Sequence, residues 1–488
     1  MEINKEVEMD ISAAAAMKSM EKATGTGSGR DAKKEMIKNA VEKANINRTK
    51  KVSIIEGSAF SVSDGVGLRY ITPYALAMGA NNTHIGILSS LPTLFGNFSQ
   101  LFSIKAMNRI NRRNICLYSA LFQALMWLPI ILLGMMFFVF HIDSGTTPAL
   151  LILVYTLLII GGAFYGPAWN SWMKDIVQKE SGKYFGIRSR ICGAVALISM
   201  LIAGFVLDYF KIINIFLGFA ILFFIAFLAR AVSAFFFTKK YEPEFKPEKE
   251  YYFNFRQFLG KMPNNNFGRF VIFVSLMTFA IAIGSPFFAV YMLKNLQFSY
   301  VDYILITMAS SFAILIFIPA WGKFADVYGN MKVLQICCSV MFLVPLLWLG
   351  SVFVLASSPW LIIPYLIVVE LFSGFALAGF NLSSSNFIYD AVTRQRMALC
   401  VAYFNILNSI GGFVGAMLGG FISSLSFTVI GLSSILFIFL LSGVMRFGVY
   451  ALMISRIKEV KKVRDFGLGE TREILLSMSP RKLIGILR

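Results

Sequence analysis

An all-α integral membrane protein is the fold this chain predicts, and three observations carry the prediction. Apolar residues fill 57% of its 488 positions, with 48 phenylalanines and a mean hydropathy of +0.69, far above a soluble domain. Between about 52 and 455 the chain falls into apolar runs long enough to cross a bilayer. The basic residues, behind a formal charge of +19, gather in alternate connecting loops.

Crossing a hydrocarbon core of about 30 Å takes about 20 residues at 1.5 Å each. Polar interruptions place twelve spans near 53–78, 84–104, 115–140, 149–173, 190–208, 212–237, 269–293, 300–321, 333–356, 360–386, 398–423 and 428–455. With no water at that depth to pair backbone groups, such runs are helices; strands would be shorter and would alternate. The first span carries Asp64, Arg69 and Thr72-Pro73-Tyr74, the second Asn97 and Gln100, the fourth Asn170 and a closing Asp175, and the sixth Arg230. The seventh holds Ser285-Pro286-Phe287, the tenth Glu370, Asn381 and a closing Asp390, the eleventh Asn405 and Asn408, and the twelfth Arg446. Gly411-Gly412, Gly415 and Gly419-Gly420 give the eleventh span a small-residue stripe for close helix approach, with Gly193 and Gly204 a thinner counterpart on the fifth.

One set of loops carries Lys105, Arg109, Arg112 and Arg113, then Lys174, Lys179, Lys183, Arg188 and Arg190, then a basic stretch from Lys239 to Arg269, then Lys323 and Lys332, then Arg394 and Arg396. The other set offers Lys211 and Lys294. This asymmetry predicts that both termini are cytoplasmic and that the protein sits in the cell membrane. The charge is read first as orientation and second as contact with lipid headgroups; no nucleic-acid partner is expected. Five cysteines without Cys-x-x-Cys spacing read as apolar fillers, and His84 and His141 alone make no metal site. None of the Gly-Lys pairs at Gly182, Gly260 and Gly322 is followed by Ser or Thr, so neither an ATP-binding loop nor any cofactor is expected. An enzyme acting on lipids would need clustered His or Asp at a membrane face, and the sequence offers none.

Residues 1–50, rich in Ala, Lys, Glu and Gly, lack a signal-peptide core and read as a largely disordered tail. The polar segment 238–268, with Pro243, Pro247 and Pro263, separates an expected bundle at 52–237 from a second at 269–455, and 456–488 forms a basic tail. Unusual residues recur across that divide. Pro73 is answered by Pro286 after 213 positions, Asp175 by Asp390 after 215, Arg230 by Arg446 after 216, and Asn108 by Asp326 after 218. Four matches in order at nearly one spacing argue for two related halves of six helices.

At this point the sequence resembles a family. The stretch 322–332 is similar to the signature loop of the major facilitator superfamily, Gly-x-x-x-Asp-(Arg/Lys)-x-Gly-(Arg/Lys)-(Arg/Lys). It keeps Gly322, Asp326 and Gly329, puts Val327 at the first basic position, and reduces the closing pair to Lys332 one place late. The copy at 104–113 has Asn108 and Asn111 at the Asp and Gly positions and keeps Arg109, Arg112 and Arg113. The resemblance implies a cytoplasmic gate at these loops. Asp326, Arg109, Arg112, Arg113 and Lys332 would belong to it, with Asp175, Arg188, Asp390 and Arg394 as flanking partners. Equally, these cations can serve only to set topology. Gly329 is expected to permit the tight turn between the eighth and ninth spans.

A charge near mid-bilayer costs about 2.5–3.5 kcal/mol on insertion scales and needs a reason. Asp64, Arg69 and Glu370 stand deep in spans that the resemblance places around a central cavity. Five positions at about 100° each set Asp64 and Arg69 about 140° apart around a helix, so each is expected to seek partners on other helices. Asp64 or Glu370 is expected to exchange a proton, with Arg69 binding an anionic group or a carboxylate; the alternative is a permanent buried network. Asn97, Gln100, Asn170, Asn381, Asn405 and Asn408 either line the cavity or bond helices together. Arg230 and Arg446, near span ends, are expected to snorkel to headgroups.

The expected function is secondary active transport of a small solute by alternating access, linked to protons, by a chain acting as a monomer. A receptor or scaffold that moves nothing, and a lipid flippase, remain open. The fifth span lacks the Gly-Pro pair of the drug-exporting branch and the loops lack the sugar-porter Pro-Glu-Ser, which weakens both substrate classes.

Overall fold

The computed structural model describes residues 27–142, 145–178, 181–243, 254–393, 396–425, 427–429, 431–461 and 463. They form a helical bundle whose only strands, among the described residues, are the short pair Thr428–Val429 and Leu432–Ser433. Ten of the described helices are long and apolar enough to cross a membrane. The first two expected spans lie outside that set. The first carries charge and ends in short pieces, and the second spends Ser89, Ser90, Asn97, Ser99, Gln100 and Ser103 on polar positions.

The first helix, Gly27–Val66, starts well before the expected 53. It ends at Gly67, where a Cβ would lie 2.5 Å from the Trp127 ring. A tight turn at Leu68–Tyr70 and a second helix, Ile71–Ala77, complete the span. Asn81 caps the next helix, Asn82–Ala106, by accepting from the His84 N–H at 2.8 Å. The third to sixth spans are Arg112–Phe138, Thr146–Ile176, Ser181–Ile213 and Ile215–Thr238. The seventh, expected as one run, stops at Gly284 and resumes at Phe287–Val290, because Pro286 has no N–H to continue the ladder. Tyr300–Tyr328 turns sharply into Asn330–Met341 at Gly329, whose φ of +89° is the left-handed backbone that favours glycine. Leu343–Ser357, Ile362–Ala391, Met397–Ser424 and Ser434–Met453 follow.

The second span packs on the fourth, the third on the fourth and sixth, and the first on the fifth and sixth. Beyond the linker the seventh packs on the eleventh and twelfth, and the tenth on the eighth and ninth. Contacts between the two groups run from the second span to the eleventh and from the fifth to the eighth. The bundle has a basic face, where the linker enters and leaves, and an opposite face.

The apolar core is divided unequally between the two faces. Toward the opposite face one cluster joins both groups, through Tyr70, Tyr74, Leu207, Phe219, Phe287, Tyr303 and Trp348. Toward the basic face it separates into a cluster around Phe270, Trp321 and Phe387 and another around Ile115, Trp172 and Phe237. The apolar core is therefore shared by the two groups toward the opposite face and split toward the basic one, where Leu101 of the second span packs on the cluster of the second group.

Candidate functional site

A cavity of about 340 Å³ lies in the bundle between Arg69 of the first span and a wall from the seventh to tenth and twelfth. On the eighth span Tyr303, Thr307, Ser310 and Ser311 share one helical face and present a row of hydroxyls. Ser285, Ser373 and Glu370 face the same space. Glu370 is held by Trp348, whose Nε1 donates to Oε1 at 3.2 Å while its ring stacks on Phe288 with centroids 4.5 Å apart.

Arg446 lines the cavity as well, and at 4% exposure it does not snorkel. It donates to the Met341 carbonyl at 2.9 Å, the Ser442 hydroxyl at 3.1 Å and the Ile281 carbonyl at 3.4 Å. Pro345, four residues after Met341, has no N–H to offer that carbonyl, so the guanidinium satisfies an acceptor the helix cannot. Arg230, its counterpart, is 1% exposed and likewise inward. Its Nε donates to Gln123 Oε1 at 2.8 Å, and its plane lies near the rings of Phe60 and Tyr165.

Asp64 and Arg69 were expected to look away from one another and do not: Arg69 Nε lies 3.5 Å from Asp64 Oδ2. The 140° separation holds only for an unbroken helix, and the break at Gly67 followed by the tight turn resets the angle. The side chains remain 45% and 23% exposed, so the pair opens to the interior instead of being sealed in it.

The uncharged polar residues divide by role. Asn97 Nδ2 donates to the Asn405 carbonyl at 3.3 Å, tying the second span to the eleventh, while Asn97 Oδ1 accepts from Gln100 Nε2 at 3.2 Å. Asn408 is partly buried, and its Oδ1 has no hydrogen-bond partner. Asn170 and Asn381 are exposed on the fourth and tenth spans. Asn381 follows Ser373 and Leu377 at four-residue steps, so the cavity face of the tenth span continues toward the basic face. Across from it, side chains added at Gly166, Gly182 or Gly186 would meet nothing within 4 Å.

At the basic face the expected gate is dispersed. Arg112 is buried, pairs with Asp175, and donates to Ser171 and to the Pro243 carbonyl, each at 3.2 Å. Glu242 then accepts from the Arg112 N–H at 2.8 Å and the Arg113 N–H at 3.3 Å, capping the third span, and shares a 530 Å³ pocket with Arg109 and Arg113. Asp390 accepts from Asn330 at 2.9 Å and lies 3.5 Å from Lys461. Asp326 and Lys332 are exposed, so the structure does not bring Asp326 to Arg109 or Arg113. Arg394 lies outside the described residues.

Sequence reasoning missed Glu459, whose carboxylate accepts from the Met331 N–H at 2.8 Å and caps the ninth span as Glu242 caps the third. The two glutamates stand 217 positions apart, the spacing of the repeat, which was the signal available. It also missed Glu56, although an acid inside an apolar run is the criterion that found Asp64. Buried Glu56 accepts from Lys240 at 2.9 Å, Ser233 at 3.2 Å and Arg188 at 3.5 Å. Arg188 thus joins this cluster, with its guanidinium 4.6 Å from the centre of the Trp169 ring. Burial pulls the Lys240 ammonium below the ordinary lysine range, against the opposing pull of Glu56.

A family model described as Major Facilitator Superfamily matches residues 58–288 and 270–476. Among solved structures, nucleoside transporter NupG is similar over 85% of this chain and 99% of its own, with a TM-score of 0.64 and 15% identity. A bacterial homolog of the human lysosomal transporter Spinster, inward-facing and unoccupied, covers 90% and 97% with a TM-score of 0.56 and 14% identity. A bacterial homologue of the iron transporter ferroportin, inward-facing, covers 84% and 99% with a TM-score of 0.56 and 12% identity. A comparison with curated proteins returns no sequence match.

Proposed function

This chain belongs to the Major Facilitator Superfamily and is a membrane transporter, and from that premise we propose that it carries a small solute by alternating access, linked to protons through Glu370. In this reading it sits in the cell membrane with both termini and the basic face in the cytoplasm, and two six-helix halves rock about the cavity. One observation carries the reading: a charged, hydroxyl-lined hollow at mid-bundle, with the core fused on one side of it and divided on the other. Such an arrangement is one of the two states an alternating carrier must visit. Glu370 supplies the proton site because it faces the hollow, where Trp348 holds one of its oxygens by a single hydrogen bond.

A ligand screen by thermal stabilisation over nucleosides, amino acids and sugars identifies the solute, since a ligand that prefers the folded protein raises its melting point. Uptake of that solute into liposomes is then measured with and without a pH gradient. Wild type is expected to depend on the gradient and Glu370→Gln to lose the dependence. Unchanged dependence in both Glu370→Gln and Asp64→Asn removes proton coupling; absence of uptake of any stabilising solute favours a receptor.

A further inference from the structure

At the opposite face the two groups also meet through a contact that involves none of the residues assigned to gating above. Asp208, in the last two turns of Ser181–Ile213, lies against the start of the eighth span. Its Oδ1 accepts from the Tyr300 N–H at 2.8 Å and its Oδ2 from the Val301 N–H at 2.9 Å. These are the first two residues of Tyr300–Tyr328, where unpaired donors and the positive end of the helix dipole coincide. One turn before Asp208, a Cβ at Gly204 would lie 3.4 Å from Val301 Cα, so the two backbones are in near contact.

Local helix stability does not account for this acid. Near the C-terminus of its own helix a carboxylate opposes the dipole, and the eighth span already has a cap in Ser299, which accepts from the Asp302 N–H at 3.0 Å. The contact joins helices on either side of the linker, as do Lys294 to the Ala80 carbonyl at 2.8 Å and Asn82 to the Ser423 carbonyl at 2.9 Å on the same face. Of the three, the Asp208 contact alone engages a charge at both oxygens.

We propose that Asp208 is the latch of the opposite gate: its carboxylate, seated on the two leading amides of the eighth span, sets how often that face opens. The proposal rests on the alternating-access reading. The test uses full-length protein in liposomes, its five cysteines replaced by alanine and spin labels placed at the exposed positions Ile212 and Leu305. Wild type is expected to give a major short and a minor long distance between labels. Asp208→Asn raises the ratio of long to short about tenfold, the scale of one lost charge-assisted contact.

A second pair of variants guards against misfolding of the first. Tyr300→Pro deletes one donor at a position where proline fits, since Ser299 before it is extended, while Tyr300→Ala loses the ring and keeps the amide. Both variants lose the ring and its edge contact with Phe219, so the proline variant is expected to shift the ratio toward the long distance well beyond the alanine variant. Two wild-type populations left unmoved by Asp208→Asn, or equal behaviour of the two Tyr300 variants, overturn the latch alone. A single short distance in every variant and condition overturns alternating access, and the latch with it.

Discussion

Replacing Glu56 by Gln keeps the size of the side chain and removes the one carboxylate among Lys240, Arg188 and Arg230. Arg188 is 18% exposed and can rehydrate, but Lys240 is fully buried, so the penalty falls on it. Stranding a buried charge by removing its partner costs about 3–5 kcal/mol. Deprotonation sets a ceiling: releasing the proton of a lysine costs about 1.4 kcal/mol per pH unit below its unfolded value of about 10.4, hence about 4.6 kcal/mol at pH 7 and about 2 kcal/mol at pH 9. Burial already draws the Lys240 ammonium below the ordinary range, and without Glu56 it falls further. The unfolded chain then binds the proton more tightly than the folded one. Stability of the variant rises with pH between the two values and is lost as pH falls through the folded one. Unfolding midpoints in mixed micelles at pH 7 and pH 9 measure this, with wild type as reference at each pH. Glu56→Gln is expected to lose about 3–4.6 kcal/mol at pH 7 and about half as much at pH 9, and Glu56→Gln with Lys240→Met to recover most of it. A loss below about 1 kcal/mol at pH 7, or one independent of pH, refutes the argument.

Arg446→Met leaves the Met341 carbonyl without a donor and should cost about 2–4 kcal/mol in the same assay, while Arg446→Lys recovers less than half because one ammonium cannot span Ser442, Met341 and Ile281; full recovery by lysine would contradict the bonding pattern. A Cβ at Gly415 would sit 2.2 Å from the Phe279 carbonyl oxygen, whereas one at Gly412 meets the Thr278 methyl at 3.4 Å. Gly415→Ala should therefore lower stability by about 1–3 kcal/mol and Gly412→Ala by under about 0.5 kcal/mol, read as melting points. Glu242→Gln and Glu459→Gln each remove a charged helix cap, about 1 kcal/mol, and the double variant should show their sum because the caps serve different helices.

What the sequence disclosed depended on whether the signal was local. Ten spans stand out by composition, and the turn at Gly329 could be read from one residue. The pairing of Asp64 with Arg69 could not, because the 100° step presumes a regular helix, and this one breaks at Gly67, against which the Trp127 ring, 60 positions away, is packed. Arg230 and Arg446 were misread for a related reason. Depth along a helix says nothing of which side faces inward, and their partners Gln123 and Met341 lie over 100 positions distant. Glu56 was overlooked because the first span was expected to begin at 53, which placed it at a helix end; the helix begins at Gly27, and Glu56 sits inside it. Glu242 and Glu459 were hidden among the many charges of polar segments, where only the repeat spacing sets them apart.

The repeat also explains why the two halves need not share the work. Arg230 and Arg446 occupy matching places, yet the acid near each differs in location. In the first half Glu56 stands on the first span, locked by Lys240 and Ser233 and sealed from solvent. In the second, Glu370 stands on the tenth span with the cavity before it and Arg446 within electrostatic reach. Protonating Glu56 would strand Lys240, so that acid cannot cycle without loosening the bundle. Protonating Glu370 leaves Arg446 held by three oxygens of its own. Amide substitution should therefore separate the two acids: Glu370→Gln melts within about 1 kcal/mol of wild type and loses gradient dependence, whereas Glu56→Gln is destabilised and the surviving folded fraction keeps it. Destabilisation of both variants to the same extent would mean that Glu370 is a second structural brace and that the proton site lies elsewhere in the cavity.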